Sequence, residues 1–320
     1  MAFPNISDIV ATTIESRSKQ IADNVTKNNA ILSRLSERGK IKTFSGGYKI
    51  LQELSFAENS NAGWYSGYDI LPVGISDVIS AAEYNIKQAA VPVVMSGLEM
   101  LQNAGREKMI DLMDSRISVA ESTLANLIAG GLYSDGTGAG GKEIDGLDAA
   151  VPADPTTGVY GGIDRATWTF WRSQVGGGAT TDPTNIQQRM NDLWSSLVRG
   201  TDRPDLIMCD NQFWADYMAS LQAQQRFTSA ETGNLGFPSL KFMDCDVVLD
   251  GGIGGFCPAY TAFFLNTDYL HYRPHASRNM VPLSPNKRVS TNQDAEVTIL
   301  GWAGNLTTSG AQFQGRYVNA

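Results

Sequence analysis

Apolar and polar positions change period several times along the chain, and each period predicts an element. In residues 1–45, Ile14, Ile21, Val25, Ile31, Leu32 and Leu35 recur at roughly helical spacing. The stripe is thin and has no second helix close in sequence to receive it, so it predicts an N-terminal arm with some helix, laid against something else. Residues 46–76 read differently. ILQELSFAENSNAGWYSGYDILP, residues 50–72, gives two strand-like runs around a polar turn at 58–63, with Phe56, Trp64, Tyr65 and Tyr68 close to that turn. About eight to ten residues a side make a β-hairpin of roughly 30 Å. A compact chain of this length has a radius of gyration near 20 Å. Such a hairpin extends beyond its own domain, and a lone two-stranded hairpin needs a surface to lie on.

Residues 77–133 predict one or two extended segments and then a long helix. Pro92 places the 77–95 segment at a sheet edge or strand end. Ser96-Gly97-Leu98-Glu99 is a capping box. Apolar positions follow at Leu98, Leu101, Met109, Leu112, Met113, Ile117, Ala120, Leu124, Leu127 and Ile128, and Gly130-Gly131 ends the run. This predicts a spine of about 33 residues and roughly 50 Å, with Gly105 a place to kink or break. Residues 134–284 mix periods. A Gly-, Asp-, Pro- and Thr-rich stretch surrounds GGIDRATWTFWRSQV. Asp182-Pro183 opens a helix carrying Ile186, Met190, Leu193 and Leu197. DLIMCD predicts a buried strand, 211–225 a second helix, and 241–250 and 261–266 two more strands. Residues 285–320 are β-rich and predict a return to pair with 77–95. The class is α+β.

Composition sharpens this picture at two points. Charged residues are only 18% of 320, which suggests that much of the surface is meant for contact with other chains. The 32 glycines suit turns and strand ends more than a helical bundle. Net charge is −8, so the whole chain is no nucleic-acid clamp. Within it, residues 15–42 hold Arg17, Lys19, Lys27, Arg34, Arg38, Lys40 and Lys42 against Glu15, Asp23 and Glu37. This basic arm either touches phosphate non-specifically or pairs with acidic neighbours, and the interspersed acids favour pairing. Cys209, Cys245 and Cys257 form no CxxC and no disulfide framework, which points to a reducing compartment. MAFPNISDIV has neither a basic n-region nor an apolar h-region, and no run is long enough to span a membrane. The expectation is a soluble protein made in cytoplasm.

Candidate chemistry is thin. His271 and His275 have the spacing of two metal ligands on a helix turn, but Pro274 intervenes and the flanks read as strand and loop. Gly251-Gly252-Ile253-Gly254-Gly255 follows a strand-like run but leads into CPAYTAFFLN, not a helix N-terminus, so it reads as a loop between strands. Asp244 and Asp246 read as alternate positions on one strand, a solvated face. No phosphate-loop, nucleophile-elbow or zinc-protease motif occurs. No catalytic, cofactor or metal site is expected, and an enzyme such as a cytoplasmic hydrolase is the least favoured class.

The layout of arm, projecting hairpin, long helix, central α+β domain and returning β tail resembles the major capsid protein of tailed bacteriophages, the Hong Kong 97-type fold. The phrases MSGLEMLQNAGREKMIDLMDSRI, LIAGGLYSDGTG, GGIDRATWTFWRSQV, DLIMCDNQFWADYMASLQAQQRF and TAFFLNTDYLHYRPH carry the resemblance. It implies an N-terminal arm (1–45), an extended loop (46–76), a peripheral domain with the spine helix (77–133), an axial domain (134–284) and a β-rich return to the peripheral domain (285–320). It also implies copies assembling as hexamers and pentamers into an icosahedral shell around double-stranded DNA. Expected partners are the chain itself, separate scaffolding, portal and decoration proteins, and DNA by non-specific contact, with no membrane. The expected location is the virion, assembled in the host cytoplasm. Another phage structural or decoration protein is the alternative. Some members crosslink a loop Lys to a neighbour's Asn. Here Lys49 lies at the hairpin base with no Lys near the tip, so crosslinking is not carried over. Phe56, Trp64, Tyr65 and Tyr68 are the expected subunit contacts.

Overall fold

The computed structural model describes residues 29–71, 73–102, 106–178, 184–221, 239–251, 255–283, 288–289 and 295–319. The chain first forms α1 (Ala30–Glu37), capped by the Asn29 side-chain oxygen Oδ1, which accepts from the N–H groups of Ile31 and Leu32. Strands β1 (Lys49–Ser55), β2 (Ile79–Asn85) and β3 (Lys87–Ser96) follow, then α2 (Gly97–Gln102) and α3 (Arg106–Gly131). Short strands β4 (Val159–Tyr160) and β5 (Ile163–Asp164) precede β6 (Gln174–Gly178) and α4 (Ile186–Leu197). Next come β7 (Leu206–Cys209), α5 (Asn211–Leu221), β8 (Ser239–Phe242), β9 (Cys245–Leu249) and β10 (Thr261–Leu265). The chain continues through β11 (Leu270–Pro282), β12 (Arg288–Val289), β13 (Ala295–Thr308) and β14 (Gly315–Asn319).

Two larger sheets organise these elements. The first is six-stranded, in the order β6-β14-β10-β7-β9-β8. Its central strands read LIMC and TAFFL and are buried throughout, because both faces are covered. Alternation divides them. Ile207, Cys209, Ala262 and Phe264 meet the apolar stripe of α4, Ile186, Met190, Leu193 and Leu197. Leu206, Met208, Phe263 and Leu265 face the other core, with Ile31, Leu35 and Leu124. The second sheet is four-stranded around β13. On one side β13 pairs with β3 from Ala295↔Ser96 to Gly304↔Lys87, and on the other with β11 and β12. Pro92 sits on β3, which has β13 as its one strand partner among the described residues.

Several expectations change. The capping box forms: the Ser96 N–H donates to Glu99 at 3.1 Å and the Glu99 N–H to Ser96 Oγ at 3.3 Å. A single 33-residue helix does not. Glu99 takes a two-pronged ion pair from Arg116 at 2.6 and 3.0 Å. In one continuous helix those residues would stand about 25 Å apart, at 1.5 Å per residue. Glu99 and Arg116 therefore do not belong to one continuous straight helix, and Gly105, the predicted break, lies outside the described residues. The predicted strand at 241–250 is instead the β8–β9 hairpin, turning at Met243 with φ 52°. Asp244 thus lies in a turn, bonded to Arg203 at 2.8 Å, while Asp246 is buried in β9, so the two do not share a face. The β-rich tail divides. β13 pairs with β3 as expected, but β14 enters the six-stranded sheet between β6 and β10.

Candidate assembly interface

Residues 56–78 leave the body between β1 and β2, which pair antiparallel from Lys49↔Asn85 to Ser55↔Ile79. The predicted partner of β1, residues 64–72, contains no strand among its described residues. The reason is visible locally. WYSGYDILP lacks period-2 alternation, and Gly67 takes φ 30°. ISAAEYN, by contrast, offers Ala82 and Tyr84 on one face, and both are buried. The unit is therefore a two-stranded base carrying a long loop with no strand among its described residues.

The base is clamped by aromatic side chains from distant positions. Tyr84 donates its hydroxyl to the Thr308 carbonyl at 3.1 Å and packs edge-on against Tyr160 at 5.3 Å. Burial pushes the Tyr84 hydroxyl well above its usual range, so it stays a donor. Trp171 donates its indole N–H to the Tyr160 carbonyl at 2.9 Å, and the Arg165 guanidinium lies 5.1 Å over the Tyr160 ring. Gly161 and Gly162, at φ 59° and 75°, turn β4 into β5, the geometry of a tight primed turn. A Cβ at Gly161 would meet Ala82 and Tyr84 at 3.0 Å, and the Gly161 carbonyl accepts from the Glu83 N–H at 2.9 Å. Phe56 stacks on Phe170 at 5.6 Å and stands edge-on to Trp168 at 6.1 Å. The GGIDRATWTFWRSQV segment is thus the socket of the loop base.

Beyond Phe56 the apolar side chains face solvent. Trp64 is 106% exposed, Tyr68 105%, Val73 and Ile75 98% and Ile70 95%, with Tyr65 and Leu71 also exposed. The loop is held by its own polar groups. The Asn61 amide donates to the Gly74 carbonyl at 2.7 Å, and Asp69 accepts from the Ser66 N–H at 2.8 Å. Of the predicted contacts, Trp64, Tyr65 and Tyr68 share this ribbon, while Phe56 belongs to the socket. Ile70, Val73 and Ile75 were missed because ILPVGI was absorbed into a strand. Its signal is an apolar run broken by Pro and Gly, which cannot alternate.

Three of the four described basic residues of the arm are tied to this chain's own body. Arg34 donates to Asp205 at 3.0 Å and lies 3.7 Å from Asp246, Arg38 reaches Asp205 and Asp268 at 3.4 Å, and Lys40 reaches Asp268 at 3.5 Å. Ala30, Ile31, Leu32 and Leu35 are buried beneath them. Lys42 is exposed, and Arg17, Lys19 and Lys27 lie outside the described residues.

His271 and His275 lie on β11. His271 is buried, and His275 stands edge-on to Phe44 at 4.9 Å. Among the described residues no three His, Cys, Asp or Glu side chains gather as a metal site, and no helix is long and apolar enough to cross a membrane. Cys209 and Cys245 are buried free thiols, pushed up by burial, to about 12 for Cys245. Gly251 and Gly255 lie in the loop between β9 and β10, with 252–254 outside the described residues.

No protein-family model matches the sequence, and no curated protein does. Solved structures do. A chain of the cyanophage A-1(L) capsid asymmetric unit superposes with a TM-score of 0.66 at 17% identity, over 87% of this chain and 89% of that one. A chain of the capsid of a native GTA particle gives 0.61 at 14%, over 89% and 90%. The fold is a capsid-protein fold. A chain from Mycobacterium phage Ogopogo adds 0.56 at 10% identity, over 91% and 92%. These likenesses run through nearly the full length of each chain, and they agree with the general α+β class.

Proposed function

We propose that this chain is a major capsid protein, whose copies assemble as hexamers and pentamers into a closed icosahedral shell around double-stranded DNA. The observation that carries the reading is the loop at 56–78: an apolar ribbon in water on a base fixed by buried aromatics. Evolved soluble surfaces do not spend so many large apolar side chains without a partner. The partner that fits is an adjacent copy. Each aromatic offers roughly 150–250 Å², so burying two or three yields several kcal/mol, at about 25 cal/mol per Å², before ordering costs. Contacts of that size suffice when closed symmetry holds each copy by many neighbours at once. The capsid folds of the cyanophage and GTA chains support the reading.

In this reading the protein acts by assembly and not by catalysis, and its place is the virion. Scaffolding, portal and decoration proteins are separate partners. The wall is net acidic, so packaged DNA is adsorbed weakly. Arg34, Arg38 and Lys40 are occupied by carboxylates of their own chain, which leaves the residues before Asn29 for non-specific phosphate contact. Electron microscopy and sedimentation of the purified protein test the proposal. Wild type forms closed shells of uniform size, and Trp64→Ser with Tyr68→Ser gives a folded monomer that does not. Normal shell yield from the double variant refutes the loop's role, and a discrete small oligomer from wild type points to another phage structural protein.

A further inference from the structure

Beside the loop base lies a cluster of cations that the chain does not neutralise. Arg273 on β11 points at β1, where it donates to Gln52 at 2.8 Å, and its Nε is buried without a partner. Burial draws Arg273 down in basicity, with no carboxylate near enough to oppose it. His271, two residues earlier and so on the same face of β11, is only 6% exposed, and its Nδ1 also lacks a partner. Lys42 lies on the adjoining segment, where its N–H donates to the Tyr272 carbonyl at 3.0 Å. Its side chain is exposed and unpaired. Lys40, next in line, is held by Asp268 at 3.5 Å. Gln52, which also takes the Thr307 hydroxyl at 3.5 Å, closes the floor. Burial and the nearby Lys42, Arg273 and Lys40 push His271 down to about 4, against a smaller pull from Asp268, so its ring is neutral near pH 7.

Two cations with no carboxylate partner, Lys42 and Arg273, beside the buried His271 suit one oxyanion. They do not suit a polyanion, which needs a stripe of cations along its length. The chain carries a complementary group. Residues 56–78 contain Glu58, Asp69 and Asp77 and no Lys or Arg. Asp69 is engaged by the Ser66 N–H. Glu58 and Asp77 are exposed and unpaired on the loop's two legs, which are joined by the Phe56 N–H bond to the Val78 carbonyl at 3.1 Å.

We infer that the Lys42–Arg273–His271 cluster is a receptor for a carboxylate from the loop of a second copy, Glu58 or Asp77. This rests on the proposed self-assembly and names a polar contact beside its apolar one. An Arg–carboxylate fork fixes orientation as well as strength, so the contact sets the angle at which one copy's loop meets the next.

Charge reversal in the full chain tests it. Arg273→Glu, and separately the exposed Lys42→Glu, raise the concentration for half-maximal assembly at least about tenfold in sedimentation. Adding Glu58→Lys and Asp77→Lys to Arg273→Glu restores assembly. Lys42→Glu keeps the test valid should Arg273→Glu fail to fold, because the Lys42 backbone bond is untouched. Wild-type assembly by Lys42→Glu overturns the receptor and leaves the shell proposal standing. A wild type that never associates overturns both. If wild type binds a duplex oligonucleotide at 0.15 M salt, and the reversals abolish that binding with assembly intact, the site takes phosphate and the carboxylate assignment falls.

Discussion

The base of the projecting loop and the loop itself use apolar side chains in opposite ways. In the base, Ile50, Leu54, Ala82 and Tyr84 are buried to within 4% of full enclosure. In the loop, Trp64, Tyr68, Ile70, Val73 and Ile75 stand in water. Hydrophobicity is similar in the two parts, so it cannot be what separates them. The separation comes from geometry. The base alternates with period 2 and offers one face to the socket, whereas the loop is broken by Gly63, Gly67 and Gly74 and offers no single face to its own chain. Apolar content that the fold cannot use is left for assembly.

The largest effect is expected at the socket. Trp171 is 1% exposed and supports Tyr160, which supports Tyr84. Trp171→Ala should cost about 3–5 kcal/mol of unfolding free energy, read from the denaturant midpoint. A cost below about 1 kcal/mol would show that the base is held elsewhere.

A smaller effect follows pH. His271 is pushed from 6.5 down to about 4 by burial and nearby cations. Between those values the unfolded chain binds a proton that the folded chain refuses. Stability is therefore full above pH 6.5 and is lost as pH falls towards 4. Tm should drop by roughly a few degrees across that window. His271→Gln should flatten the slope, whatever it does to the plateau.

Next comes the cap of α2. Ser96→Ala removes the acceptor for the Glu99 N–H and should cost about 1 kcal/mol, with local amide exchange rising in α2. The smallest effect is expected in the loop. Trp64→Ser with Tyr68→Ser should shift monomer stability by less than about 0.5 kcal/mol, although it removes two of the largest side chains in the region. A melting shift as large as that of Trp171→Ala would mean that the loop serves its own fold.

Local signals in the sequence were legible. Ile186, Met190, Leu193 and Leu197 announced α4 and are buried, and Ser96 with Glu99 announced the start of α2. The buried run TAFFL announced β10. What failed depended on partners remote in sequence. β1 pairs with 79–85 and not with the nearer 64–72, because register is set by the face that Ala82 and Tyr84 share with the socket. The described arm reads as a thin stripe until Asp205, Asp246 and Asp268 are placed around Arg34, Arg38 and Lys40. Of the candidate interface, the aromatics were visible but their division was not. Phe56 and Trp64 look alike in sequence, and only the position of Phe170 tells them apart.

β14 lies between β6 and β10, inside the six-stranded sheet. Residues 174–178 therefore wait for residues 315–319 before they have a strand to join. During synthesis residues 315–319 must leave the ribosome before that sheet can close. A product cut short ahead of Gly315 leaves β6 without a strand partner and one side of β10 bare, so translation has a built-in completeness check: only copies made through β14 have a finished sheet to contribute.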